Sequence, residues 1–264
     1  MIALTPAIEI GYDDAGGGVP VVFLHAFPLS RAMWQPQLTA LVDRCRCVAP
    51  DFRGFGETPA VPPFSMDRYA DDVAALLDVL RIERAVIAGL SMGGYVAFAV
   101  WRRHRERVRA LLLADTRPGP DTEEARERRR RLIELARTRG SEAVADAQLP
   151  ALLGKQTREK HQDLVEAARA LLVSAPVPGI VGALEAMMAR PDSTPTLATI
   201  DVPTLIVVGE DDAVTPVAEA RTMQAAIRGG ALEIIAGAGH LSSYERPAAF
   251  NHVVSEFLAR VTYD

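Results

Sequence analysis

Cysteine is scarce in this 264-residue chain, which holds only Cys45 and Cys47. Two positions apart in a strand-like segment, their side chains would share one sheet face with Cβ atoms roughly 6–7 Å apart. That is too far for an unstrained disulfide. No Cys/His spacing offers a metal framework, and nothing requires an oxidising compartment. Positive charge is also in short supply. Against 34 acidic residues stand 29 Lys and Arg, and the net charge of −5 offers no general attraction to nucleic acid or an anionic membrane. The N-terminus lacks a basic stretch followed by an apolar one, so no secretory signal is expected. One uncharged segment, residues 85–101, reaches the lower limit for crossing a bilayer. Gly89, Ser91, Gly93 and Gly94 near its middle suit a strand, a turn and a buried helix better. Internal repeats and low-complexity tracts are absent. The expectation is a soluble, cytoplasmic protein without nucleic-acid or membrane partners.

What is present is apolar residue in quantity: 49% hydrophobic against 24% charged, enough for a substantial core. Short apolar runs at 19–24, 45–50, 85–89, 108–114, 204–209 and 232–235 predict strands, and alternating isoleucines predict an antiparallel edge strand at 7–12. Helical patterns fall between them at 34–42, 67–80, 92–103, 217–227 and 247–261. Ser65 is placed to cap the second, and Pro36 and Pro247 suit first turns. This alternation predicts an α/β fold, a mostly parallel sheet covered by helices, with reactive groups at the carboxyl ends of its strands.

The alternation stops after Arg117 and resumes at Pro203. Helical patterns at 122–139, 141–149, 158–174 and 179–190 predict a helical cap at 117–202, inserted into a core made of 1–116 and 203–264. Within it, Arg128-Arg129-Arg130-Arg131 is flanked by Glu123, Glu124, Glu127 and Glu134, which predicts charge pairing on a solvated helix face rather than a nucleic-acid contact.

The motif carrying the chemistry is Gly89-Leu90-Ser91-Met92-Gly93, directly behind an apolar strand and ahead of a helix. There it reads as a nucleophile elbow, with small neighbours that tolerate a strained serine. A serine hydroxyl needs a base. Of the five histidines, His240 occupies a loop just after the last strand, at the sheet edge where Ser91 belongs. Three acids compete to orient it: Asp211 and Asp212 after one strand, and Asp115 after another. The backbone N–H groups of Met92 and Phe27 are candidate donors to an oxyanion. His25 could serve as a second base, but hydrogen bonding within its loop is preferred.

With these segments the chain resembles the α/β-hydrolase superfamily over nearly its full length. The resemblance rests on His25-Ala26-Phe27-Pro28, Asp51-Phe52-Arg53-Gly54-Phe55-Gly56, the elbow, the run from Gly209 to Pro216, and Gly237-Ala238-Gly239-His240. It implies an α/β-hydrolase fold, puts the acid on Asp212, and makes Phe27 and Met92 the oxyanion-hole residues. Ala26 departs from the Gly common there. Met33-Trp34-Gln35-Pro36-Gln37 and the elbow look like the group of carboxylesterases and 3-oxoadipate enol-lactonases, and the His25–Pro28 turn also resembles bacterial aryl esterases with perhydrolase activity. Ser91, where haloalkane dehalogenases and epoxide hydrolases carry Asp, points away from those. The expected function is a cofactor-free, metal-free serine hydrolase acting on a small-molecule ester. A lactone substrate and a non-catalytic ligand-binding role are the alternatives. Trp34, Leu90, Met187 and Met188 are expected to line an acyl pocket.

Overall fold

A computed structural model describes residues 1–262. Eight strands form one sheet, in the spatial order β1 (Ile2–Leu4), β2 (Glu9–Ala15), β4 (Arg46–Pro50), β3 (Pro20–Leu24), β5 (Ala85–Leu90), β6 (Val108–Ala114), β7 (Thr204–Gly209) and β8 (Ala231–Ile235). From β4 to β8 every pairing is parallel, while β1 and β2 join antiparallel at one edge. β1 escaped the sequence reading because three residues carry no measurable period. β2 runs on into Asp13 and Asp14 because it pairs with β4, where Arg46 forks onto Asp14 with Nη2 2.6 Å from Oδ2.

Strand alternation divides the core in two. Val22 and Leu24 of β3 face the apolar layer of α2 (Met66–Val79) and α3 (Met92–His104). Val21 and Phe23 face the layer of α1 (Gln35–Leu41) and α11 (Pro247–Thr262). Strands buried on both faces read as continuous apolar runs, as the sequence showed. The Ser65 hydroxyl accepts the Arg68 N–H at 3.0 Å and starts α2. The uncharged stretch at 85–101 divides into β5 and α3, and among the described residues no single helix is long and apolar enough to cross a membrane.

Between β6 and β7 the chain is helical: α4 (Glu123–Leu152), α5 (Lys155–Lys160), α6 (Gln162–Val173), α7 (Val177–Met188) and the short α8 (Thr194–Leu197). α4 breaks at Gly140, whose φ of 76° lies in the left-handed region, where the sequence showed a gap between two helices. The stretch 158–174, expected as one helix, is split at His161. Its two parts dock on different partners: α5 is held by Arg246, which reaches Gln156 Oε1 at 2.9 Å, while α6 packs on α4.

The two cysteines are buried and free, with sulfurs 3.5 Å apart. Cys45 lies just before β4, so its side chain is not confined to the parallel orientation that a common strand would impose.

Candidate functional site

β5 ends at Leu90 and α3 begins at Met92, so the whole reversal is compressed into Ser91. Its φ of 55° and ψ of −112° are unfavourable for a side-chain-bearing residue. Packing enforces them: the Ser91 N–H donates to Ala114 O at 2.9 Å, and the Thr116 hydroxyl donates to Ser91 O at 2.9 Å. A Cβ on Gly89 would collide with the Gly93 carbonyl, and one on Gly93 with the Leu24 carbonyl. Both positions therefore require glycine.

Ser91 Oγ lies 2.7 Å from His240 Nε2, and His240 Nδ1 lies 2.8 Å from Asp212 Oδ2. The remaining lone pairs of Asp212 are occupied. Oδ1 accepts the Val214 and Thr215 N–H groups at 2.8 and 2.9 Å, and Oδ2 accepts the Thr215 hydroxyl at 2.7 Å. Burial alone would raise the Asp212 pKa, but His240 and these donors hold it below the usual carboxylate range. For His240 burial works against the charged ring. The Asp212 charge outweighs it, with Asp115 and Glu245 adding to the effect, so imidazolium is favoured and the pKa rises above its ordinary 6.5. An imidazole so placed can take a proton from Ser91 Oγ and be stabilised once charged.

Asp115, the competing acid, is engaged elsewhere. Its Oδ1 accepts the Gly209 N–H at 2.8 Å, and its Oδ2 accepts the Ser242 hydroxyl at 2.5 Å and the Ser242 N–H at 3.2 Å. It ties the strand end before Asp212 to the loop after His240. Complete burial and the nearby Asp212 charge push its pKa up to about 8. Asp115→Asn should therefore keep kcat within about tenfold of the parent, while the loss of one acceptor costs roughly 1–3 kcal/mol of stability. Parallel kinetics and urea unfolding would check this, and a rate loss matching that of Asp212→Asn would make Asp115 the orienting acid. Asp211 is exposed, has its N–H bound to Ala238 O at 2.8 Å, and among the described residues has no hydrogen bond to His240.

Glu245 is a third buried acid that the sequence reading passed over. One oxygen accepts the Gly239 N–H, next to His240, and the other the Gly154 N–H between α4 and α5, both at 2.8 Å. It clamps the histidine loop to the inserted helices. Only its position after Gly-His in the sequence could have flagged it.

The backbone N–H groups of Met92 and Phe27 are the two expected oxyanion donors. Met92 is the first residue of α3, so its N–H has no intrahelical acceptor and lies at the positive end of the helix dipole. Ala26 O is held by His25 Nδ1 at 2.9 Å and by the Leu29 N–H at 2.9 Å. In a planar trans peptide the N–H points opposite the carbonyl, so the Phe27 N–H is locked away from that turn. Among the described residues neither N–H has a hydrogen-bond acceptor. His25 is wholly structural: its Nε2 accepts the Phe52 N–H at 3.0 Å, and burial lowers its pKa, keeping the neutral form this bond requires.

Of the four residues expected to line an acyl pocket, three are buried in the core layers. Trp34 is fully buried between Phe23 and Phe250, with ring centroids 5.1 and 6.2 Å away, in the layer beneath α1 and α11. Leu90 belongs to that same layer and Met187 to the opposite one; both are core residues without appreciable exposure. Only Met188 is partly exposed. A buried core face and a pocket wall are both apolar, so residue type alone does not separate them.

The arginine run also divides. Arg130 pairs with Glu123 and Glu127, and Arg131 with Glu127, as expected of a solvated face. Arg129 turns inward instead, its Nε 2.5 Å from the buried Asp121, because successive residues on a helix point about 100° apart.

Residues 19–247 match the family described as alpha/beta hydrolase fold. An esterase from Thermogutta terrifontis, solved with malate bound, is 40% identical with a TM-score of 0.95, covering 99% of this chain and 98% of its own. The enol-lactonase from Burkholderia xenovorans LB400 is 31% identical with a TM-score of 0.91, covering 98% and 100%. 3-Oxoadipate enol-lactonase 1 of Acinetobacter baylyi is 29% identical over 91% of this chain and 89% of its own length.

Proposed function

Since the chain belongs to the alpha/beta hydrolase family, we propose that it is a serine hydrolase of carboxylic esters. In this reading Ser91 Oγ attacks the acyl carbonyl while His240 Nε2 takes its proton. Asp212 orients the ring and stabilises imidazolium. The carbonyl oxygen becomes an oxyanion held by the Phe27 and Met92 N–H groups, each worth roughly 3 kcal/mol in comparable sites. Collapse expels the alcohol, which leaves with the proton from His240. Water, deprotonated by the same imidazole, then attacks the acyl-serine, and the regenerated Ser91 recovers its proton.

The observation supporting this most is the unbroken line from Ser91 Oγ through His240 to Asp212, with contacts of 2.7 and 2.8 Å. The esterase at 40% identity supports the substrate class. A lactone is an internal ester opened by the same groups, its alcohol remaining attached. The enol-lactonase neighbour at 31% identity supports that variant.

The test is steady-state hydrolysis of p-nitrophenyl acetate, butyrate and octanoate. Many turnovers per protein molecule are expected, and the chain-length trend gauges the acyl pocket. Binding of these esters without turnover by folded protein would instead indicate a ligand-binding role.

A further inference from the structure

His240 sits in a loop whose backbone is pinned from two directions. On the sheet side, Asp115, directly after β6, holds the Ser242 N–H and hydroxyl. On the other side stand the inserted helices. Gly154, between α4 and α5, meets Gly239 backbone to backbone, so closely that a Cβ on Gly239 would collide with the Gly154 nitrogen. The Leu241 N–H donates to Leu152 O of α4 at 3.2 Å. Glu245, buried at the end of the helical turn Ser242–Glu245, closes this junction. Its Oε1 accepts the Gly239 N–H and its Oε2 the Gly154 N–H, each at 2.8 Å, and the Thr157 hydroxyl of α5 adds a further hydrogen bond.

Burial works against the Glu245 charge and raises its pKa, although these donors oppose the rise. Glutamate nonetheless fits the place, because a carboxylate has two accepting oxygens and nothing to donate. A glutamine there would aim N–H at N–H on one side. The junction matters to the reaction because the imidazole has two contacts to keep at once, Ser91 Oγ at 2.7 Å and Asp212 Oδ2 at 2.8 Å. A displaced Gly239 carries the ring with it. Misplacement of about 1 Å by a change far from the reacting atoms can cost about 100-fold in rate.

We propose that Glu245 is a positioning residue: by tying Gly239 to Gly154 it makes the seat of the inserted helices set the alignment of His240 between Ser91 and Asp212. The inference rests on the serine-hydrolase reading and adds a support for its base from outside the sheet. Substitutions at the junction of α4 and α5, which carries none of the reacting groups, therefore act on the chemical step.

The test measures kcat and KM for p-nitrophenyl butyrate in Glu245→Gln and Gly154→Ala, per active site titrated with a fluorophosphonate so that misfolded protein is not counted. Glu245→Gln should lower kcat about 10- to 100-fold with KM within about twofold of the parent. Gly154→Ala keeps the Glu245 charge and disturbs the junction from the side of the helices. The Gly154 φ of −61° suits Ala, but the new Cβ would lie 2.8 Å from the Gly239 nitrogen. A loss of kcat at constant KM in this variant is a loss of placement. Unaltered kcat in either variant, or a loss confined to KM, would overturn the proposal. A second readout needs no turnover: the downfield proton NMR line of His240 Nδ1, shared with Asp212. It should be sharp in the parent and broadened by faster exchange with water in both variants. If the parent turns over no ester while the line behaves in this way, the hydrolase reading alone fails. A line absent from the parent, or as sharp in either variant as in the parent, overturns the proposal.

Discussion

Replacing Ser91 by Ala should reduce ester turnover by about 10⁶-fold, the scale seen when a nucleophile is removed from a serine–histidine–acid site. The size follows from what remains. In the proposed mechanism the Phe27 and Met92 donors would still polarise a carbonyl, but without the Ser91 hydroxyl, which lies 2.7 Å from His240 Nε2, no acyl intermediate could form. The fold should be untouched. Among the described residues the Ser91 hydroxyl has one hydrogen-bond partner, His240, whereas the backbone contacts to Ala114 and Thr116 do not involve the side chain. Active-site titration with a fluorophosphonate, alongside circular dichroism and thermal unfolding, would check both halves. Turnover within tenfold of the parent in a folded Ser91→Ala protein would place the nucleophile elsewhere.

Asp212→Asn should cost about 10⁴-fold in kcat, because the amide can present its N–H to His240 Nδ1 and force the wrong tautomer. It should also move the pH profile. The base must be neutral, and the Asp212 charge raises the His240 pKa. In the parent, kcat/KM should therefore fall as pH drops through a value above 6.5. Without that charge burial dominates, so the residual activity of Asp212→Asn should inflect at lower pH. A pH profile with an unmoved acid limb would mean that Asp212 does not set the charge of the base. Together with Asp115→Asn, this pair separates two buried acids that are both close to the imidazole. One is ionised and bonded to the ring. The other, whose pKa burial raises, is bonded to Gly209 and Ser242. For Asp115 the linkage runs the other way from Asp212: between the ordinary carboxylate range and about 8 the folded protein holds a proton that the unfolded chain has released. Its contribution to stability therefore declines as pH rises across that interval.

Much of the architecture was legible in local pattern. β6 and β7 were found with their observed limits, and β5 and α3 nearly so, because strands buried on both faces leave uninterrupted apolar runs and α3 follows at once. Ser91 and His240 could be paired from the sequence because parallel strands send their carboxyl ends to one edge of the sheet. Local pattern could not say what that edge does with each group. Asp115 and Asp212 are both acids ending apolar strands, and only packing shows that one meets Nδ1 of His240 while the other meets Ser242. Trp34, Leu90 and Met187 have the apolarity of a pocket wall, and only the tertiary arrangement buries them in the two core layers. Four adjacent arginines look alike in sequence, yet the turn of α4 sends Arg130 and Arg131 to solvent and Arg129 to Asp121. The sequence by itself determined the order of elements and the residue types at the sheet edge, since these depend on the periodicity of neighbours along the chain. Partner choice among those residues was left to the tertiary structure, because hydrogen bonds and burial depend on distances between segments far apart in sequence.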